Sequence, residues 1–326
     1  MYYINACSTI SHQGSFQNES WINELKIVTN NSKLITPNYK EFVDAADLRR
    51  MSKIIRMGIA CSKDCIQQAE IDNPDAIIVG TGLGCLTDTE KFLHNTLTIE
   101  GLIPPTAFIQ STHNTIAGQI SLALKNHQYN MTHTQNSLSF EHALMDAMLC
   151  LDEGKDTVLV GSADENIALM DELSKSFNWS EIENKLTSGA SFFIVSNAKN
   201  NLTKVQLIDC FTVGLNDTNP KALITSFLAK NNLSLNDIDL VLFNSNGTLK
   251  LDIIQKEFNP ISVLSYEHFC GYYFTNVAFG MHLATEILNK KKTSFITNNK
   301  PVHRILLYNN FNNKNIGLTL LQALEA

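Results

Sequence analysis

YNMTHTQNSLSFEHALMDAMLCL, residues 129–151, decides how the rest of the chain is read. From Phe140 onward the apolar residues Phe140, Ala143, Leu144, Ala147, Met148 and Leu151 recur at helical spacing, which predicts a helix with one buried face. Met131–Gln135 ahead of it reads as a short strand without a clear apolar face. Between the two lie Asn136, Ser137 and Ser139, all residue types that cap helices, and Glu141 brings negative charge to the first turn, where the helix dipole favours it. A strand that runs straight into a buried helix N-terminus can mount a nucleophile, because the turn presents one side chain beside free backbone N–H groups. Ser137 occupies that position. On local sequence alone, capping the helix is its simpler role.

Working outward, several continuous apolar runs predict strands buried on both faces. Asp75–Gly80 ends in Gly80-Thr81-Gly82-Leu83-Gly84, a Gly-rich turn with no Walker lysine after it and no GxGxxG fingerprint. Asp156–Gly161 and Ser188–Val195 are further runs of this kind. Glu41–Gln68 has helical periodicity, and Phe108–His113 leads into a helix at Asn114–Leu124. A strand is also expected at Tyr2–Ala6. After residue 200 the plan recurs: a strand at Leu202–Cys210, a helix at Pro220–Asn231, and a strand at Asp237–Phe243 that runs into Asn244-Ser245-Asn246-Gly247-Thr248. Arg304–Tyr308, an Asn-rich loop and Ile316–Leu321 echo Thr157–Gly161 and Phe192–Val195. The expected fold is α/β, with duplicated βα lobes at 1–200 and 201–326 stacked in an α-β-α-β-α arrangement.

Composition limits the partners. Hydrophobic residues make up 44% of the 326, charged residues 17%, and the net charge is −7. A sizeable core is expected, with no nucleic acid and no anionic membrane as the main partner. The seven cysteines are odd in number and scattered. Cys61 and Cys65 are four apart on a predicted helix, but no second zinc-type ligand pair accompanies them. They read as reduced, buried thiols of a cytoplasmic protein, with no metal, no cofactor, no signal peptide and no membrane span.

Taken together, these features resemble the thiolase-like superfamily, specifically the β-ketoacyl synthases. Glu41-Phe42 through Arg49-Arg50-Met51 followed by IIVGTGLG at 77–84 is similar to the family's first helix and Gly-rich turn. His113-Asn114-Thr115-Ile116-Ala117-Gly118 resembles its Asn-x-x-Ala-Gly segment, DEGKDTVLVGSADE at 152–165 the strand after the nucleophile helix, and Gly189-Ala190 its Gly-Ala-Gly turn. The resemblance implies a catalytic Cys at the strand-to-helix turn and two His in the second lobe. Here the Cys position falls on Ser137. The first His becomes Asn246 and the second Tyr272, while the lysine usual five residues before that second His becomes Glu267. The family's Phe-Gly-rich closing loop is Asn-rich here, at Asn309–Asn315.

These replacements remove the chemistry the family depends on. A thiol is readily tuned to a thiolate that attacks a thioester, whereas a serine hydroxyl keeps its proton unless a positioned base removes it. Asn246 cannot accept a proton usefully at neutral pH, and a neutral tyrosine is a poor base. No catalytic residue is therefore expected. The resemblance implies instead a chain-length-factor type of subunit, which pairs with an active β-ketoacyl-ACP synthase and serves an acyl carrier protein. Such a subunit would dimerise along Tyr129–Gln135, with Phe108, Gln110, His113, Asn114, His133 and Gln135 at the interface or the acyl tunnel. The turn Ser137-Leu138-Ser139-Phe140-Glu141 and STHNTIAGQ (111–119) are similar to subunits of aryl-polyene and flexirubin pigment clusters. The alternative is an acyltransferase or thioesterase acting on acyl-ACP through Ser137, with His133 or His142 as base.

Overall fold

The computed structural model describes residues 1–176, 186–214, 219–244, 251–290 and 301–324. Among these residues ten strands form one sheet: β1 (Tyr2–Ile10), β2 (Ala76–Gly80), β3 (Tyr129–His133), β4 (Thr157–Asp164), β5 (Gly189–Ser196), β6 (Val205–Val213), β7 (Leu240–Asn244), β8 (Ser262–Ser265), β9 (Arg304–Phe311) and β10 (Asn315–Ala323). Their order is β3-β2-β4-β5-β1-β6-β10-β9-β7-β8. β2 is parallel to β3 and β4, while β4, β5 and β1 follow antiparallel. The second five strands repeat this scheme, with β7 parallel to β8 and β9, and β9, β10 and β6 antiparallel. Each half thus has the same strand order, and a short antiparallel seam (Tyr2↔Leu207 to Ile4↔Val205) joins them.

Alternation along the strands assigns the layers, because successive side chains leave opposite faces of a sheet. Ala76 and Ile78 of β2, Val158 and Val160 of β4, Leu240 and Leu242 of β7, and Ile305 and Leu307 of β9 enter one central core. Ile77, Val79 and Leu159 point the other way into a second core, and Val241, Leu306 and Tyr308 into a third.

The helices fill the spaces between. In chain order they are α1 (Ala45–Leu48), α2 (Lys53–Gln68), α3 (Leu86–Thr98), α4 (Pro105–Gln110), α5 (Thr115–Leu124), α6 (Ser139–Asp152), α7 (Ala168–Ser176), α8 (Pro220–Lys230), α9 (Leu251–Phe258), α10 (Glu267–Cys270) and α11 (Val277–Lys290). α6 and α11 occupy the central core and touch strands of both halves, α2 and α5 cover one outer face, and α8 and α9 cover the other. This is the expected α-β-α-β-α stack. Every residue of α11 from Val277 to Leu288 is buried, as a helix clamped between two sheets requires. On α6 the predicted face is Phe140, Ala143, Leu144, Ala147 and Leu151, all buried, with Met148 partly so. Each large side chain there contributes roughly 1.5–3 kcal/mol of burial.

Departures from the sequence reading have local causes. The periodic stretch 41–68 is two helices, broken around Ser52, which is extended at φ −68° and ψ 168°. Arg56 donates to the Leu48 carbonyl at 2.6 Å and closes off the end of α1. α3 was not predicted, because it lies on the surface with only Asp88 buried and so carries no core stripe. β1 continues past Ala6 through buried Ser8 and Thr9, and the Thr9 hydroxyl is satisfied by Ser191 Oγ at 2.9 Å. The Asn-rich segment is not a long loop. Asn309 and Asn310 belong to β9, and the chain reverses at Asn312 and Asn313, both near φ +55°, as a type I′ hairpin turn demands. All seven cysteines are unpaired and buried. Among the described residues no helix is long and apolar enough to cross a membrane.

Candidate functional site

The Gly-rich turn after β2 is where the site elements meet. A Cβ on Gly80 would lie 2.5 Å from the Ser139 carbonyl oxygen, one on Gly82 would lie 2.2 Å from Phe274 Cβ, and one on Gly84 (φ +69°) would lie 2.9 Å from the His113 ring. Only glycine therefore lets the start of α6, the Tyr272–Phe274 segment and the loop before α5 close on one point. Asp164, at the end of β4, pins this turn. Its buried carboxylate accepts from Thr81 Oγ1 (3.0 Å), Gly82 N (2.9 Å) and Leu83 N (3.2 Å) with one half of the chain, and from Thr275 N (3.0 Å) and Thr275 Oγ1 (2.7 Å) with the other. Burial pushes its pKa up, and these donors work against that shift.

Ser137 sits in a tight turn, Asn136–Leu138, between β3 and α6, with Asn136 in the left-handed region at φ +56°. Asparagine tolerates that conformation. Ser137 is 1% exposed, and its hydroxyl has no hydrogen-bond partner among the described residues. It does not cap α6, so the simpler role fails. The bond at that corner is Ser139 Oγ donating to the Asn136 carbonyl at 2.7 Å. The Ser137 N–H donates to Asn136 Oδ1 at 2.8 Å, so the backbone donor beside the hydroxyl is already in use. Its carbonyl accepts from Asn309 Nδ2 at 2.8 Å, and the same nitrogen donates to Glu141 Oε1 at 2.7 Å.

Glu141 differs most from its sequence reading. It stands in the first turn of α6 as expected but is fully buried, and burial lifts its pKa to about 7 despite the bond from Asn309. Gly317 of β10 makes the room, since a Cβ there would fall 2.2 Å from Glu141 Oε1. Glu141 Oε2 and Asn309 Oδ1 have no partners among the described residues.

Tyr272 is buried against Phe274, with ring centroids 5.7 Å apart, and its carbonyl accepts from Thr187 N at 2.8 Å. Burial, with Glu267 and Asp164 nearby, drives its phenol pKa well up, so the ring stays neutral and is no base. The neighbouring ring of Tyr273 lies over Gly189, where a Cβ would come within 2.6 Å. Asn246 lies outside the described residues.

The two histidines weighed as bases are engaged elsewhere. His133 Nε2 pairs with Asp146 Oδ2 at 2.9 Å. The His142 ring stacks on His133 at 6.4 Å and reaches Thr212 Oγ1 at 3.4 Å, and burial with the adjacent His133 lowers its pKa. Neither bonds the Ser137 hydroxyl, which has no partner among the described residues.

The remaining expected residues differ in burial. Among the described residues β3 is a sheet edge, paired to β2. Gln135 follows it and is exposed, and His133 is half-buried. His113 and Asn114 are exposed ahead of α5, with His113 packed over Gly84. On α4, Phe108 is exposed beside Phe92, whereas Gln110 is buried. Around the edge Leu122, Tyr129, Met131, Met145 and Leu149 are also exposed, giving an apolar patch across α5, β3 and α6.

The sequence model for the β-ketoacyl synthase N-terminal domain matches residues 19–197. The chain belongs to the β-ketoacyl synthase family. No curated protein sequence matches it. Among solved structures it is similar to the ishigamide ketosynthase/chain length factor, at TM-score 0.79 and 14% identity over 99% of both chains. A ketosynthase in complex with its chain length factor (ApeO with ApeC) from Xenorhabdus doucetiae matches at TM-score 0.75 and 14% identity, over 99% of this chain and 98% of that one. A β-ketoacyl synthase from Burkholderia phymatum matches at TM-score 0.76 and 12% identity over 99% of both. At these identities the likeness is one of fold, and it covers both halves of the chain.

Proposed function

We propose that this chain is a catalytically silent ketosynthase-like subunit of the chain-length-factor kind, which pairs with an active β-ketoacyl-ACP synthase and walls part of its acyl tunnel. One observation supports the reading: at the turn matched to the family's nucleophile, Ser137 is sealed, its hydroxyl meets no base among the described residues, and its N–H is spent on Asn136. Decarboxylative condensation needs a thiolate to hold the acyl group and imidazoles to stabilise developing charge, and an oxyanion needs a free donor. Ser137 and Tyr272 supply none of these, and Asn246 is of a residue type that is no base.

In this reading β3 joins the corresponding edge of the partner, which removes two exposed edges at once. Phe108, Gln110, His113, Asn114, His133 and Gln135 then lie at the interface or the tunnel wall. The lobes are 1–200 and 201–326, the carrier protein is a second partner, the compartment is the cytoplasm, and the product is a polyene of the aryl-polyene or flexirubin type. No cofactor takes part.

Co-expression with a Cys-His-His ketosynthase encoded beside this chain tests the proposal. A stable one-to-one pair is expected, with product formation unchanged by Ser137→Ala. Recovery of homodimers or monomers alone would refute it. A stoichiometric acyl adduct from acyl-ACP, lost in Ser137→Ala, would replace it with the acyltransferase reading.

A further inference from the structure

Away from the nucleophile turn, three side chains of metal-ligating type converge in the interior. Cys7 is on β1, and His282 and Glu286 are on α11, four apart and so on one face of that helix. All three are buried, and one ligand atom from each lies within 4.8 Å of the other two. The cluster is oriented as well as close. His282 Nδ1 is 2.7 Å from Thr9 Oγ1, and Thr9 gives its own proton to Ser191 Oγ at 2.9 Å. Thr9 therefore accepts from Nδ1–H, and the Nε2 lone pair is left facing Glu286 Oε1 at 3.9 Å. Holding one ring nitrogen by a hydrogen bond so that the other is free to ligate is how metal-binding histidines are set. The group opens onto a cavity of about 470 Å³ whose wall includes Gln17, Asp64, Gln68 and Glu70.

We propose that Cys7, His282 and Glu286 form a three-ligand site for a divalent cation of the zinc class, with its fourth position open to this cavity. Sulfur, imidazole nitrogen and carboxylate oxygen together suit zinc, and do not suit magnesium or calcium, which take oxygen ligands. Two ammonium groups hold the site without a metal. Lys204 Nζ is 3.6 Å from Cys7 Sγ and 3.9 Å from Glu286 Oε1, and Lys290 Nζ is 3.5 Å from Glu286 Oε2. Lys204 also reaches Gln68 Oε1 at 3.4 Å on the cavity wall, so it has an acceptor to move toward when a cation displaces it. As the metal–sulfur bond forms, the Cys7 S–H proton leaves to solvent. Cys7 lies far in sequence from His282 and Glu286, so spacing alone gives no zinc pattern.

The test uses the full chain, stripped with a chelator and titrated with Zn²⁺ and with Co²⁺. One equivalent of metal should survive gel filtration, and the Co²⁺ form should show a thiolate charge-transfer band that Cys7→Ser abolishes. Thr9→Val should weaken binding by about 10- to 100-fold through loss of the imidazole's partner. Lys204→Met, at a partly exposed residue, should tighten binding by removing the competing charge. Failure to retain metal, or a Co²⁺ spectrum unchanged in Cys7→Ser, would overturn the proposal and leave an ordinary buried ion-pair cluster. Neither result bears on pairing with a ketosynthase.

Discussion

Glu141→Gln should make this protein more stable at neutral pH, by an amount that follows from one buried carboxylate. Burial raises the Glu141 pKa from 4.5 to about 7. A carboxyl whose folded pKa exceeds its unfolded one favours the fold while protonated. The penalty for its charge is absent below about pH 4.5, grows as pH rises, and is complete above about pH 7. At about 1.4 kcal/mol for each tenfold change, the penalty reaches roughly 3 kcal/mol. Glutamine keeps the acceptor for Asn309 Nδ2 and adds an N–H that can reach the unpartnered Asn309 Oδ1. At roughly 2 °C per kcal/mol for a chain of this size, the variant should melt about 6 °C above the wild type at pH 8. Near pH 4.5 the gap should close. Thermal unfolding of both proteins across this pH range measures it. A variant that melts lower at pH 8, or a difference that does not change with pH, would refute the assignment of a charged, desolvated Glu141.

Other substitutions probe the rest of the site. Gly82→Ala drives a Cβ into Phe274 Cβ and should cost about 1–3 kcal/mol in urea unfolding, part of it recovered by Phe274→Gly, which removes the clashing atom, in the same chain. Asp164→Ala strands donors from both halves and should cost several kcal/mol, read as a lowered denaturation midpoint. Met131→Lys charges the exposed sheet edge; it should leave the melting temperature of the isolated chain within about 1 °C while abolishing co-purification with a ketosynthase. Ser137→Ala removes an unpartnered hydroxyl and should leave thermal stability unchanged or slightly raised.

The fold was legible because its central strands, such as β2 and β7, are buried on both faces and stand out as unbroken apolar runs, Ala76–Gly80 and Leu240–Phe243. The nucleophile turn was legible as well, since strand, polar turn and periodic helix follow one another without interruption. Elements that bury little left no trace in the pattern, which is why α3 passed unseen. The partners of Glu141 were hidden for a different reason. Asn309 and Gly317 come from the far end of the chain, and nothing in local spacing says that a first-turn glutamate faces inward. Asp164 carries no signal of its own in the sequence, because its role depends on Thr81 and Thr275 meeting in space.

That meeting at Asp164 bears on how the molecule would come apart. A protease cut in the loop between β5 and β6 would put α11, which packs in the core shared by both halves, in the second piece, and Asp164, whose carboxylate accepts from Thr275 across that core, in the first. Such a nicked protein should stay together and melt in a single transition, and either fragment expressed alone should be insoluble until the other is supplied.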